Sequence, residues 1–129
     1  MADTDIDFDL LVKAGGPVRS FKAGDVIFSE GDPAAELLVV KSGTVEIRIR
    51  NCLIDTLGER SIFGEMALID SRPRSATALA LTDTGLIPLG DKGFSLLVAY
   101  HPEFALSVLR VMVKHLRATD AIIHQRAGW

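Results

Sequence analysis

From Val18 to about Pro88 the chain is cut into short apolar runs, each closed by residues that turn the backbone. The runs are Val26-Ile27-Phe28, Leu37 to Val40, Val45 to Ile49, Leu53 to Leu57, Ile62-Phe63, Ala76 to Ala80 and Leu86-Ile87. The punctuation falls at Ala23-Gly24-Asp25, Glu30-Gly31-Asp32-Pro33, Ser42-Gly43 and Leu57-Gly58. These residues tolerate positive φ or bond their own backbone, so they end strands cheaply. Many short strands at this spacing make a sandwich or a barrel. Val45-Glu46-Ile47-Arg48-Ile49-Arg50 alternates strictly, which predicts one wet face and one face in a core.

The flanks follow a different period. Asp5 to Ala14 reads as a short amphipathic helix stopped by Gly15-Gly16-Pro17. Asp91 is placed to N-cap a helix through Tyr100, and His101-Pro102 ends it. Pro102 and Glu103 then open a longer helix to about Arg126. On that helix Leu109, Met112, Leu116, Thr119 and Ile123 form a stripe, widened by Val108, Val111 and Ile122. Such a face must be covered by the barrel, by a second copy of the helix, or by both. The architecture expected is mainly β: a barrel or roll with a short helix before it and two helices after it. The expected divisions are 1–17 for the first helix and its turn, 18–90 for the roll, and 91–126 for the last helices, all in one domain of 129 residues.

Composition narrows the function classes. The longest apolar run, Leu96 to Tyr100, is far short of the roughly 18–20 residues a membrane span needs. The single cysteine, Cys52, cannot bridge internally and is expected to pack as a small hydrophobe beside a tight turn. Asp3, Asp5, Asp7 and Asp9 stand where a signal peptide would carry lysines, so a cytoplasmic setting is expected. The net charge is −3, and residues 10–129 alone sum to +1 with no basic stripe. A nucleic-acid-binding surface is therefore not expected. The three histidines, His101, His115 and His124, all lie in the helical tail, none on a strand, so no metal centre is expected.

One stretch departs from the strand pattern: Phe63-Gly64-Glu65-Met66-Ala67-Leu68-Ile69-Asp70-Ser71-Arg72-Pro73-Arg74-Ser75-Ala76-Thr77. A glycine is followed by one turn of good helix formers, a polar loop and a return to strand. A short helix beginning at Gly64 would point backbone N–H groups and its positive end at whatever lies above it. Glu65 can accept hydrogen bonds from hydroxyls, and Arg74 can reach a phosphate or carboxylate through two parallel N–H donors. Ser75 and Ala76 are small enough to let a ligand approach the backbone. One anion partner and one hydroxyl partner suit a sugar phosphate. A surface Glu–Arg ion pair on a loop fits the same residues on pattern alone.

Residues 63–77 resemble the phosphate-binding cassette of the cyclic-nucleotide-binding domain family, F-G-E-[LM]-A-L followed by P-R-[ATS]-A-[TS]. Upstream, Phe21-x-Ala23-Gly24-Asp25-Val26-Ile27-Phe28-x-Glu30-Gly31-Asp32 and Val39-Val40-x-Ser42-Gly43-x-Val45 resemble that family's opening strands and next turn. The resemblance covers about 110 of the 129 residues in the family's order. It implies an eight-stranded β-roll with flanking helices and a regulatory rather than enzymatic role. Carried over, Glu65 would take the ribose 2′-hydroxyl and Arg74 the cyclic phosphate. Backbone N–H groups near Gly64, Met66, Ala67 and Ala76 would complete the cradle, with Ser75 contacting a phosphate oxygen or a guanine amino group. The R-S-A run at Arg74-Ser75-Ala76 implies cyclic AMP ahead of cyclic GMP, with no other cofactor.

The resemblance also implies a lid from the last helix, with Thr119 and Asp120, and more weakly His115, meeting the base. Arg72 is expected to be a charge on the rim. The sensor is expected to act on a separate effector protein, since no helix-turn-helix follows before Trp129, and to form a homodimer through its last helix or cover the barrel with it. A ligand-free scaffold of the same fold is the alternative reading.

Overall fold

The computed structural model describes residues 2–70 and 72–126, with the side chains of all of these except 119 and 121–126. Helix α1 (Phe8–Ala14) leads into eight strands: β1 (Arg19–Phe21), β2 (Val26–Phe28), β3 (Glu36–Ser42), β4 (Val45–Ile49), β5 (Cys52–Leu57), β6 (Ile62–Phe63), β7 (Thr77–Ala80) and β8 (Thr84–Gly90). A single 3-10 turn, Glu65–Leu68, lies between β6 and β7. Helices α2 (Asp91–Tyr100) and α3 (Glu103–Arg126) follow β8. The strands make two four-stranded sheets, in the orders β1-β8-β3-β6 and β2-β7-β4-β5, with every pair antiparallel. This is the mainly β roll with one helix before it and two after it that the chain's periods predict.

Two apolar layers explain the strand sequences. Leu38, Val40, Val45, Ile47, Leu57, Phe63, Ala78 and Leu86 pack between the sheets. Leu37, Val39, Ile62, Ile87 and Leu89 face the other way, against Leu11, Leu97, Phe104, Val108 and Val111 of the three helices. Strand β3 is therefore covered on both faces, and its run Leu37-Leu38-Val39-Val40 shows no alternation because no face of it is wet. On β4, Val45 and Ile47 are buried while Glu46 and Arg48 remain partly exposed and pair with each other at 2.5 Å. Alternation at β4 reads one covered face, and its loss at β3 reads two.

The helices meet at a glycine. A Cβ on Gly93 would stand 2.3 Å from the carbonyl oxygen of Ala14, so only glycine lets α2 cross the end of α1 this closely. Phe94 of α2 and Phe104 of α3 then pack with ring centroids 5.9 Å apart.

Several boundaries differ from expectation. Strand β1 has no apolar alternation of its own and exists by pairing Arg19, Ser20 and Phe21 with Leu86, Gly85 and Thr84. Helix α1 begins at Phe8 rather than Asp5, because Asp7 caps it by accepting the N–H of Asp9 at 2.8 Å. Gly90, not Asp91, is the N-cap of α2, which leaves Asp91 as an acid in the first turn. On α3 the buried row is Phe104, Val108 and Val111, whereas Leu109 and Leu116 are each 54% exposed. The apolar surface of α3 is wide enough for two rows, and the sheet takes the row that starts at Phe104. Thr119, Ile122 and Ile123 belong to the expected stripe by side chains that lie outside those described, as does Trp129. Among the described residues no helix is long and apolar enough to cross a membrane.

Candidate functional site

The segment after β6 is built around Gly64, whose φ of +72° favours a residue without a Cβ. The turn that follows is 3-10 rather than α-helical and spans one turn only. Its Ala67 N–H is already donated to the Gly64 carbonyl at 3.3 Å, and Ile69 and Asp70 donate to Met66 at 3.0 and 3.1 Å. Glu65, the first residue of the turn, points inward and keeps only 2% of its exposure. Such a carboxylate needs a polar partner. It has one in His115 of α3, whose Nδ1 lies 2.8 Å from Oε1.

Arg74 is fixed from both sides. Its backbone N–H donates to Asp32 at 2.8 Å and its carbonyl accepts from Gly31 at 2.9 Å, which clamps the cassette to the turn after β2. Its guanidinium donates from Nη1 to the Gly64 carbonyl at 3.2 Å and stacks over the Phe28 ring at 4.2 Å. Burial lowers the pKa of Arg74 from its ordinary value, while the charges of Glu36, Asp32 and Glu65 oppose that shift. A guanidinium stays protonated regardless. Its Nε is buried and has no hydrogen-bond partner among the described residues. A charged donor in that position calls for an acceptor.

Both side chains line one cavity of about 560 Å³. Gly64, Glu65, Met66, Ala67, Arg74, Ser75, Ala76 and His115, all read from the sequence as site residues, lie on its wall. Arg72 lies on it too, with its side chain 87% exposed and 4.0 Å from Asp70, as a rim charge would be. Asp120 is exposed and is not part of the wall, so the structure does not bring it to the site; the Thr119 side chain is outside those described. Cys52 is half-buried directly after the tight turn at Arg50 and Asn51, both at positive φ.

Much of the remaining lining is apolar: Phe28, which lies against the Arg74 guanidinium, Ile47, Ile49 and Ile54, with Leu116 from α3. Glu30 ties the hairpin to this lining by accepting the backbone N–H of Arg50 at 2.6 Å. Only Ile47 and Ile49 had a readable signal, their place in the alternation of β4. Phe28, Glu30 and Ile54 reach the cavity through sheet pairing and loop closure.

A guanidinium with a buried, unpartnered Nε among the described residues and a buried carboxylate, sharing one cavity with an apolar lining, match the parts of a nucleotide. A family model, the cyclic nucleotide-binding domain, matches residues 18–101. The chain belongs to the cyclic nucleotide-binding domain family. The chain is 30% identical over 115 residues to the CRP-like cAMP-activated global transcriptional regulator of Mycobacterium tuberculosis, covering 85% of this chain and 51% of that protein. It is 39% identical over 87 residues to a cyclic nucleotide-gated potassium channel of Mesorhizobium japonicum, covering 67% of this chain and 24% of the channel. The crystal structure of the Thermus thermophilus catabolite activator protein superposes with a TM-score of 0.76 at 30% identity, over 93% of this chain and 58% of that one. The chain thus spans about half the length of the regulator it matches, and less of the channel. The family is a regulatory one.

Proposed function

We propose that this chain is a cyclic nucleotide sensor that binds cyclic AMP, with cyclic GMP the second candidate, and passes binding through its last helices to a separate effector. The observation that carries this reading is the pairing, on one cavity wall, of buried Glu65 with a guanidinium whose Nε is buried and unpartnered among the described residues. Arg74 takes the cyclic phosphate, Glu65 the ribose 2′-hydroxyl, and the backbone around Gly64, Met66 and Ala76 supports the phosphate. Ser75 is exposed at the mouth and follows Arg74 closely enough to reach a phosphate oxygen. The isoleucines of β4 and β5 give the base an apolar wall. Relatives named for cyclic AMP support that ligand first.

The relay follows from packing. The 3-10 turn of the cassette lies against β3 and α3, and Leu68 at its end packs into the cluster that holds Phe104, Val108 and Val111. A ligand that draws Arg74 and the turn inward shifts Leu68, and α3 must repack.

A ligand that binds only the folded protein stabilises it by RT ln(1 + [L]/Kd), about 2.7 kcal/mol at 100-fold excess over Kd. Cyclic AMP should therefore raise the melting temperature, and Arg74→Ala should abolish that rise by removing a charge-assisted contact of roughly 1.5–3 kcal/mol. No rise with either nucleotide at millimolar concentration overturns the reading.

One observation favours the scaffold reading: Leu106, Leu109, Val113 and Leu116 of α3 are each about half exposed, at alternating spacings of three and four. That row fits a second copy of the helix. Light scattering separates the readings, because a scaffold keeps one oligomeric state with and without nucleotide.

A further inference from the structure

The Glu65 carboxylate that the proposed function assigns to the ribose is already engaged. Its side chain is 3% exposed and its Oε1 meets His115 Nδ1 at 2.8 Å, whereas the His115 side chain is 18% exposed. Of the pair, the imidazole is the less deeply buried member, although its Nε2 is buried as well. Both line the same cavity, so a hydroxyl that bonds Glu65 there competes with the ring for the carboxylate. The ring belongs to α3 and the carboxylate to the cassette, elements fifty residues apart that touch at this contact.

We propose that His115 is the residue through which α3 senses the nucleotide: the ribose 2′-hydroxyl displaces the protonated imidazole from Glu65, and the imidazole gives up its proton to solvent and lets go of the cassette. This inference rests on the nucleotide reading of the site. In the ligand-free state the imidazolium donates Nδ1–H to Oε1. In the bound state the hydroxyl donates in its place, so the carboxylate stays anionic and accepts throughout. The imidazolium, having lost its anionic partner, releases one proton and becomes neutral.

Charged groups from three elements act on the ring. Facing the ring are Glu65 from the 3-10 turn, Asp55 from β5 and Lys114 from α3 itself. Asp55 and Lys114 pair with each other at 3.3 Å. Strand β6, also against α3, offers only Ile62 and Phe63. Among these groups Glu65 is the one in direct hydrogen-bond contact with the ring. Burial alone would lower the imidazole pKa, yet the hydrogen bond and charge of Glu65, with the charge of Asp55, raise it above the ordinary 6.5. Loss of the Glu65 contact therefore favours release of the imidazole proton.

The test is calorimetric titration of the full chain with cyclic AMP and with its 2′-deoxy analogue, in buffers of different ionisation enthalpy, between about pH 6 and about pH 8. The wild type should release up to one proton with cyclic AMP, and its Kd should weaken up to tenfold per pH unit toward acid. The 2′-deoxy analogue should release none. His115→Gln should bind cyclic AMP without proton release, and His115→Ala should bind it more tightly than wild type at acid pH, each with a melting curve confirming that it folds. Binding by the wild type without proton release, or weaker binding by His115→Ala at every pH, overturns this inference and leaves the nucleotide reading standing. Failure of the wild type and both variants to bind either nucleotide overturns the nucleotide reading itself, and this inference with it.

Discussion

Gly64→Ala separates the strain of a turn from the placement of a guanidinium, provided it is compared with Gly24→Ala. Gly64 has φ +72° and Gly24 φ +92°. An L-residue held in that region costs about 1–2 kcal/mol. A Cβ on Gly24 meets nothing within 4 Å, so Gly24→Ala reports the strain alone. A Cβ on Gly64 would stand 2.6 Å from Arg74 Nη1, with the next backbone atom, the Glu36 carbonyl oxygen, at 3.6 Å. The atom in the way is the end of a flexible side chain, which swings aside rather than prising the backbone apart. Both variants should therefore lose about 1–2 kcal/mol, a fall in melting temperature of roughly 3–8 °C for a chain of this size. Only Gly64→Ala pushes the guanidinium off the Gly64 carbonyl, which it now meets at 3.2 Å, and away from the ligand's anion. A charge-assisted contact of about 1.5–3 kcal/mol then weakens cyclic AMP roughly 10- to 100-fold. Thermal melting and calorimetric titration of the three proteins provide both numbers. Equal cyclic AMP affinities for the two variants would refute the reasoning, since Gly64 would then have no part in positioning Arg74.

Two further outcomes follow from the packing and the charges. The raised pKa of His115 means its contribution to ligand-free stability is present in full below about pH 6.5 and lost as pH rises through the folded-state value. The melting temperature without nucleotide should fall accordingly between about pH 6 and about pH 8, and His115→Gln should flatten that fall; identical profiles would show that the pair carries no net charge effect. Phe104 is fully buried against Phe94 in the layer between helices and sheet, so Phe104→Ala should cost about 3–5 kcal/mol in urea denaturation. A loss below about 1 kcal/mol would mean that the start of α3 is not docked where the structure has it.

What was legible in the sequence follows the range of the interactions that decide each element. Strands β3 and β4 announce themselves because burial on two faces or one leaves an unbroken or alternating apolar run. Strand β1 does not, since two of its three residues are exposed and its existence depends on β8, more than sixty residues later. The row of α3 that faces the sheet was equally hidden. Phe104-Val108-Val111 and Leu109-Leu116 are both apolar rows at helical spacing, and the row that is buried is the one whose Phe104 packs on Phe94 of α2.

The site divides along the same line. Its cassette is contiguous, so Gly64, Glu65 and Arg74 could be found together, and all three reach one cavity. The partners that give those residues their properties come from elsewhere in the chain. Phe28 under the guanidinium, Asp32 holding the Arg74 backbone and His115 on the carboxylate are distant in sequence and close only after the roll has closed. His115 shows the consequence most sharply. As one polar residue on an amphipathic helix it reads as a neighbour of the base, because sequence spacing can place it on the lid but cannot say what lies beneath. The folded chain sets it on Glu65, so its direct partner is a buried carboxylate of the cassette. The contact with that carboxylate, made only once the roll has closed, joins this position of α3 to the cassette.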